Sequence, residues 1–351
     1  MNPVVQSLQN WFGRVGIPGG LVPVFPFLLG AAIIYVAFAI VLYLGVHRFK
    51  WIAPRTASFL AFISPWIFGF LLFLLGPMIY SLYLSMTNWN MMSPPHWIGL
   101  ANYTAILQDP MFYKALEVSL YYTLVGVPLQ VLLSFLIGVL MNTRVRGIYY
   151  FRTIYYLPSL VSGVAQTVFF IWVFNPTFGL MNGVLSLFGI SGPSWFLSPS
   201  WAMPAAIIMS LWVVGGNMVI YLAGLQDIPS ALYEAADIDG AGWFTKFRQV
   251  TVPQMSPILF FNLVTGIIGG LQTFTQGYLI TGSSGTGGGP NNSLLFFVYY
   301  LYERAFYWLQ MGYAAALAWV LFIVIMILTV VIFKSSATWV YYESEQLGGG
   351  R

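Results

Sequence analysis

The side chains that could break or make bonds are too few and too scattered here to form a reaction centre. The 351 residues include nine acidic side chains, two histidines and no cysteine. His47 and His96 stand on different connections, and no paired acids or Ser–His arrangement is spaced for catalysis. The chain therefore reads as a non-enzyme. Without cysteine there is no disulfide or thiolate metal site, and no metal ligand set is expected. A glycine-rich run from Gly282 to Pro290 has no lysine and follows no expected strand, so it is a flexible turn and not a phosphate-binding loop. What remains is hydrogen bonding. Gln166, Ser210, Asn217, Tyr221, Asn262, Gln272, Thr273 and Gln276 interrupt otherwise apolar runs. Amides and hydroxyls beside aromatic faces suit a neutral polyhydroxyl solute, whereas a metal cation or phosphate favours charged ligands or rings of carbonyls. The same groups can instead bond helix to helix. Gly266, Gly269 and Gly270 either leave room for a bulky ring or permit tight packing.

The elements that must position these groups are membrane helices. Hydrophobic residues make up 59% of the chain and charged ones 6%, against about 25% charged in a soluble domain. Aromatic residues, at 18%, suit two interfacial belts. A helix crossing the hydrocarbon core needs about 20 apolar residues. Seven stretches qualify: 21–46, 57–85, 120–141, 154–174, 202–225, 258–280 and 312–333. None holds Asp, Glu, Lys, Arg or His. The expected fold is an all-α polytopic membrane bundle of seven transmembrane helices.

Basic residues orient the bundle. One set of connections carries Arg48, Lys50, Arg55, Arg144, Arg146, Arg152, Lys246, Arg248, Lys334 and Arg351; the other carries Arg14, Lys114 and Arg304. The first set is expected in the cytoplasm, with the N-terminus outside and the C-terminus inside. The net charge of +4 is spread along the chain, a topology signal and not a nucleic-acid patch. The first span is too long for a signal-peptide core and no basic segment opens the chain, so it is expected to be retained. Before it, Val4, Leu8, Trp11, Phe12 and Val15 recur at helical spacing, as a surface helix or a tail.

The large connection between the fifth and sixth spans reads as two short helices around a turn. Pro229 suits a first helical turn, Ala231 to Ala236 is helix-forming, and Gly240 can take the left-handed conformation that ends a helix. Trp243, Phe247 and Val250 share one side of the second piece, which Pro253 is expected to stop. Pieces this short are not stable alone in water, so they must pack on something. The segment is shaped to fill a groove on a cytoplasmic partner.

Its spacing resembles the signature of permease subunits of binding-protein-dependent ABC importers. Glu234, Ala235, Ala236, Asp239, Gly240, Ala241, Phe247, Pro253 and Pro257 all stand where that family's motif has them. Weaker stretches resemble the larger permease of maltose-type importers. They include Pro65 to Phe70, Trp97 to Tyr103, Tyr155 to Pro158, Gly179 to Asn182, Gly288 to Pro290 and Met311 to Ala316. The resemblance implies a six-helix core over 57–335, preceded by an extra span within 1–56 and followed by a cytoplasmic tail, 336–351. It implies that the loop 226–257 is a coupling helix docking on the ATPase, with Glu234 as the polar contact and Gly240 setting the turn. The spans either side of the loop would hold the solute, through Ser210, Asn217 and Tyr221 on one and Gln272, Thr273 and Gln276 on the other. The implied partners are a second permease subunit, a homodimeric ATPase that carries ATP and Mg, an extracytoplasmic solute-binding protein and a sugar. The connections 87–117 and 175–201 could receive that binding protein. The implied location is the bacterial inner membrane.

The missing charges bear on the energy source. Ion-coupled carriers keep ionisable groups inside the membrane, and ATP use needs a phosphate-binding loop with lysine. The chain has neither, so it is passive or a partner drives it. The resemblance favours the partner, and a neutral sugar as solute. Another neutral polar solute, a polyol phosphate and a passive channel are the alternatives.

Overall fold

The computed structural model describes residues 35–41, 43–46, 53–143, 145–284 and 287–341. The amphipathic stretch before the first span, most of that span and the end of the tail lie outside the described residues. There are two compact units, one ending at Tyr83 and one beginning at Leu84.

The first unit holds α1 (Tyr35–Val46) and most of α2 (Pro54–Ser85). Tyr35 and Phe38 each set a ring edge-on to Phe68, at 5.6 and 5.3 Å. Phe62, Trp66 and Phe73 are exposed, as expected of a helix that faces lipid.

The second unit is built of helices joined by irregular connections, with no strand beyond an isolated Thr87–Trp97 bridge among the described residues. Its elements are α3 (Ala101–Gln108), α4 (Pro110–Met141), α5 (Ile148–Leu160), α6 (Gly163–Val173), α7 (Leu180–Leu187), α8 (Ala202–Val213) and α9 (Gly215–Asp227). They continue with α10 (Ser230–Ile238), α11 (Trp243–Gly282), α12 (Phe297–Tyr302) and α13 (Met311–Ser336). Among the described residues four helices, α2, α4, α11 and α13, are long and apolar enough to cross a membrane; counting α5–α6 and α8–α9 as one span each raises this to six.

Several expected spans are shifted, broken or bent, each for a local reason. α4 begins ahead of its apolar stretch because Asp109 caps it, accepting from the Met111 N–H at 2.9 Å, with Pro110 in the first turn. The expected span 154–174 is broken by 98° between α5 and α6. Pro158 tightens the end of α5 into a 3-10 turn, and Ser162 starts a new helix by accepting from the Ala165 N–H at 3.3 Å. The span 202–225 bends by 49° at Gly215, where a Cβ would strike the Tyr155 carbonyl of α5.

Between lipid-exposed helices there is little hydrophobic drive, so small residues and hydrogen bonds set the packing. Ala202, Ala205 and Ala206 are fully buried on α8. Gly138 of α4 lies under Tyr221 of α9, where a Cβ would come within 3.1 Å of the tyrosine Cβ. The main core gathers Phe112, Tyr122, Phe296 and Phe297 between α4, α8 and α12. Asn102 and Asn182 hold the connections folded. Asn102 donates to the Ser85 and Thr87 carbonyls at 2.8 Å each. Asn182 donates to Pro176 and Pro193 carbonyls and accepts from the Trp195 indole at 2.6 Å.

Candidate functional site

Two features concentrate polar or exposed side chains: the loop around α10 and a cavity inside the bundle. α10 ends in a pair of hydrogen bonds that only a left-handed residue allows. The Gly240 N–H donates to the Asp237 carbonyl at 3.1 Å and the Ala241 N–H to the Ala236 carbonyl at 2.9 Å. Gly240 itself has φ +73°, the closing geometry expected of it. Lys246 then pairs with Asp237 at 2.7 Å, clamping the two short helices across the turn. The Tyr233 hydroxyl lies 2.9 Å from that of Thr251 and ties α10 to α11.

Pro253 does not stop the second piece. The chain runs from Trp243 to Lys246, through a π turn, Phe247–Thr251, into the long helix Val252–Leu271. Pro253 falls in the first turn after the π segment, where its missing N–H is tolerated. The loop rests on the bundle through one aromatic column. Trp243 stacks on Phe247 at 5.6 Å, Phe247 on Phe135 at 6.0 Å, and Phe135 meets Tyr221 edge-on at 5.8 Å. On its other side the loop is bare. Ile238 and Phe244 are 88% and 65% exposed. Glu234, Ala235 and Asp239 are exposed too, and Glu234 has no hydrogen bond or ion pair among the described residues.

The second feature is a cavity of about 250 Å³ between α4, α6, α8 and α11. Ser210, Thr273 and Gln276 line it, as do Gln166 and the three glycines singled out in the sequence. α11 is interrupted here: helical turns stop at Leu271 and resume at Thr275, which leaves Thr273 in the break. Irregular backbone at such depth is tolerated where it lines a cavity. The Gln166 amide donates to the Met209 carbonyl at 2.9 Å, and the Ser210 hydroxyl to Ile207 at 2.7 Å.

The glycines divide into two roles. A Cβ on Gly266 would lie 2.6 Å from Val127, and one on Gly270 2.8 Å from the Thr123 hydroxyl, so these two let α11 approach α4. A Cβ on Gly269 would meet nothing within 4 Å, so that glycine faces open space.

The other proposed solute contacts are placed elsewhere. Tyr221 is fully buried in the aromatic column, Asn217 is half-buried on α9, and Gln272 is exposed at the end of the α11 segment. None of the three lines the cavity. The cavity adds Tyr122 and Gln130, which sequence reasoning passed over. Their signal was present: Tyr122, Gly126 and Gln130 recur every fourth residue, on one helical face.

Comparison with known proteins agrees with this architecture. The family described as binding-protein-dependent transport system inner membrane component matches residues 119–340. A probable ABC transporter permease of Bacillus subtilis is 40% identical over 82% of this chain and 92% of its own length. The lactose transport system permease of Rhizobium radiobacter is 34% identical over 76% of this chain and 90% of its own. A solved bacterial ABC transporter involved in alginate import shares the fold, with TM-score 0.71 and 24% identity over 81% of this chain and 96% of that one. The chain belongs to the inner membrane components of binding-protein-dependent transport systems, the permease subunits of ABC transporters.

Proposed function

We propose that this permease forms half of the translocation pathway of an importer for a neutral mono- or oligosaccharide. The observation that carries the reading is the chemistry of the bundle cavity. Its walls offer hydroxyls of Tyr122, Ser210 and Thr273 and amides of Gln130, Gln166 and Gln276, with no Asp, Glu, Lys, Arg or His. Such walls can replace the water around a sugar hydroxyl but cannot neutralise an ion. Relatives named for lactose and arabino-oligosaccharide transport support a sugar as solute.

The α10 loop supports coupling to a separate ATPase, which would carry ATP and Mg. Its exposed apolar residues would fill a groove on that partner, and the unpartnered Glu234 would fix the register. The remaining partners are a second permease, which completes the pathway, and an external solute-binding protein. In this reading the loop and the C-terminus are cytoplasmic, the N-terminus is outside, and the described spans join an extra first span to make seven in the inner membrane.

The test is copurification from native membranes followed by uptake into proteoliposomes with ATP supplied on the loop side. Recovery of a second permease and an ATPase is expected, with uptake of neutral saccharides in preference to uronates. Thr273→Leu and Gln276→Leu should each lower uptake about tenfold or more and leave the complex assembled. A chain recovered alone, with passive flux, would return it to the channel reading.

A further inference from the structure

A second cavity, of about 410 Å³, lies at the far end of α4 from the loop. Asp109 caps one end of this 32-residue helix, while Met141 ends it beside α5, its carbonyl held by Arg152 at 2.7 Å. At about 1.5 Å per residue the two ends are roughly 48 Å apart, and Asp109 is roughly 20 Å from Tyr122 of the bundle cavity. The second cavity is therefore a separate place. It lies between residues 88–90, α3 and the segment from Arg304 to Tyr313.

Its polar groups are fixed before any ligand arrives. Asn102 is 8% exposed and spends both amide hydrogens on the Ser85 and Thr87 carbonyls. Its Oδ1 is left as an oriented acceptor without a partner among the described residues. Asn90 spends its Oδ1 on the N–H groups of Met92 and Ser93 and on the Ser93 hydroxyl, at 3.1, 3.0 and 2.8 Å. Gln310 spends its Oε1 on Arg304 at 3.3 Å. The Nδ2 of Asn90 and the Nε2 of Gln310 remain as donors. Trp89 contributes a half-buried indole with no ring partner among the described residues. The two charges in the wall, Asp109 and Arg304, neutralise each other at 2.9 Å.

A pre-set acceptor, pre-set donors, an aromatic face and no net charge are what a neutral glycosyl unit requires of a protein. The volume lies within the range of about 300–1,000 Å³ usual for small-molecule sites. We infer that this cavity is a saccharide subsite at the outer mouth, which holds a neutral sugar unit before it enters the bundle. The inference rests on the reading of the chain as a sugar permease.

The absence of cysteine from the chain supplies the test. Asn88, which lines the cavity and is exposed, is replaced in the complete reconstituted importer by Asn88→Cys. Its reaction with a membrane-impermeant maleimide is followed by mass, with lactose, maltose and an arabinose disaccharide as probes and glucuronate as the charged control. A neutral saccharide that the importer carries should slow the labelling at least threefold, and glucuronate should not. Trp89→Ala should abolish that protection and Trp89→Tyr should restore most of it. Gln276→Leu, in the other cavity, should leave it intact. Normal uptake with no protection by any imported saccharide would overturn the subsite and spare the sugar-permease reading. So would protection that needs only the solute-binding protein, with or without sugar, since the cavity would then receive a protein side chain. No uptake of any neutral saccharide by the assembled importer would overturn both.

Discussion

Asp109 gathers more partners than any other acid among the described residues. Its Oδ2 accepts from Tyr300, from Tyr313 at 2.8 Å and from Arg304 at 2.9 Å, and its Oδ1 from the Met111 N–H. Burial pushes the carboxyl up, but those hydrogen bonds and the Arg304 charge outweigh it, so its pKa lies below the ordinary 3.8. A lowered folded value means stability that is present above the ordinary pKa and lost as pH falls through the lowered one. The melting temperature of the purified complex should therefore drop as pH falls below about 4. Asp109→Asn should remove that part of the drop and cost about 1–3 kcal/mol at neutral pH, because Arg304 loses its counter-charge. Gly240 makes a second prediction at this scale. Nothing lies within 4 Å of where its Cβ would be, so a side chain there costs only backbone strain. Gly240→Ala should cost the turn roughly 1–2 kcal/mol and lower solute-stimulated ATPase activity, while Gly240→Asn, which tolerates that region, should retain more of it.

At the scale of elements, the contact of α11 with α4 is set by two glycines and spared by a third. Gly270→Val or Gly266→Leu should force the helices apart, costing about 1–3 kcal/mol by overpacking. Gly269→Ala should be neutral or stabilising, since alanine favours a helix by about 1 kcal/mol. Thermal unfolding in detergent separates the two cases; equal losses at all three positions would show that the glycines share one role. The π turns follow the same logic of local adjustment. Tyr122–Gly126 is a π segment in the wall of the bundle cavity, and Phe247–Thr251 is another beneath the loop. Each re-registers a long helix where a side chain must point into a site or a column, as single π turns do at functional positions.

At the scale of the whole molecule, the loop and the two cavities have to work as one transporter. The loop meets the bundle through Phe247, while its outer side presents Ile238, Phe244 and Glu234. Glu234→Lys should leave membrane insertion unchanged and abolish recovery of the ATPase under mild detergent. A reversed charge buried at a docking cleft costs several kcal/mol. Unchanged recovery with full uptake would remove Glu234 from the docking surface.

Hydropathy and local chemistry decided much of this protein in advance. Apolar runs without charge dictated membrane helices, because unpaired charge is costly in hydrocarbon. The spacing from Glu234 to Pro257 determined the family and the left-handed turn at Gly240, because caps and turns depend on neighbours in the chain, but not the continuation of the second piece past Pro253 into the long helix. The cap at Asp109 was not read from the sequence, because the apolar stretch alone put the start of that helix ten residues too late. Tertiary structure decided which polar side chains share a cavity. Tyr221 and Ser210 lie on the same expected span, yet one is walled in by Phe135 and the other faces open space, since the bend at Gly215 turns the two halves differently. It also decided that Gly266 packs while Gly269 does not, and that Asn102 has an oxygen to spare. Those outcomes depend on what a neighbouring element brings within a few ångströms, and residues such as Val127 and Thr123 stand more than a hundred positions away in the sequence.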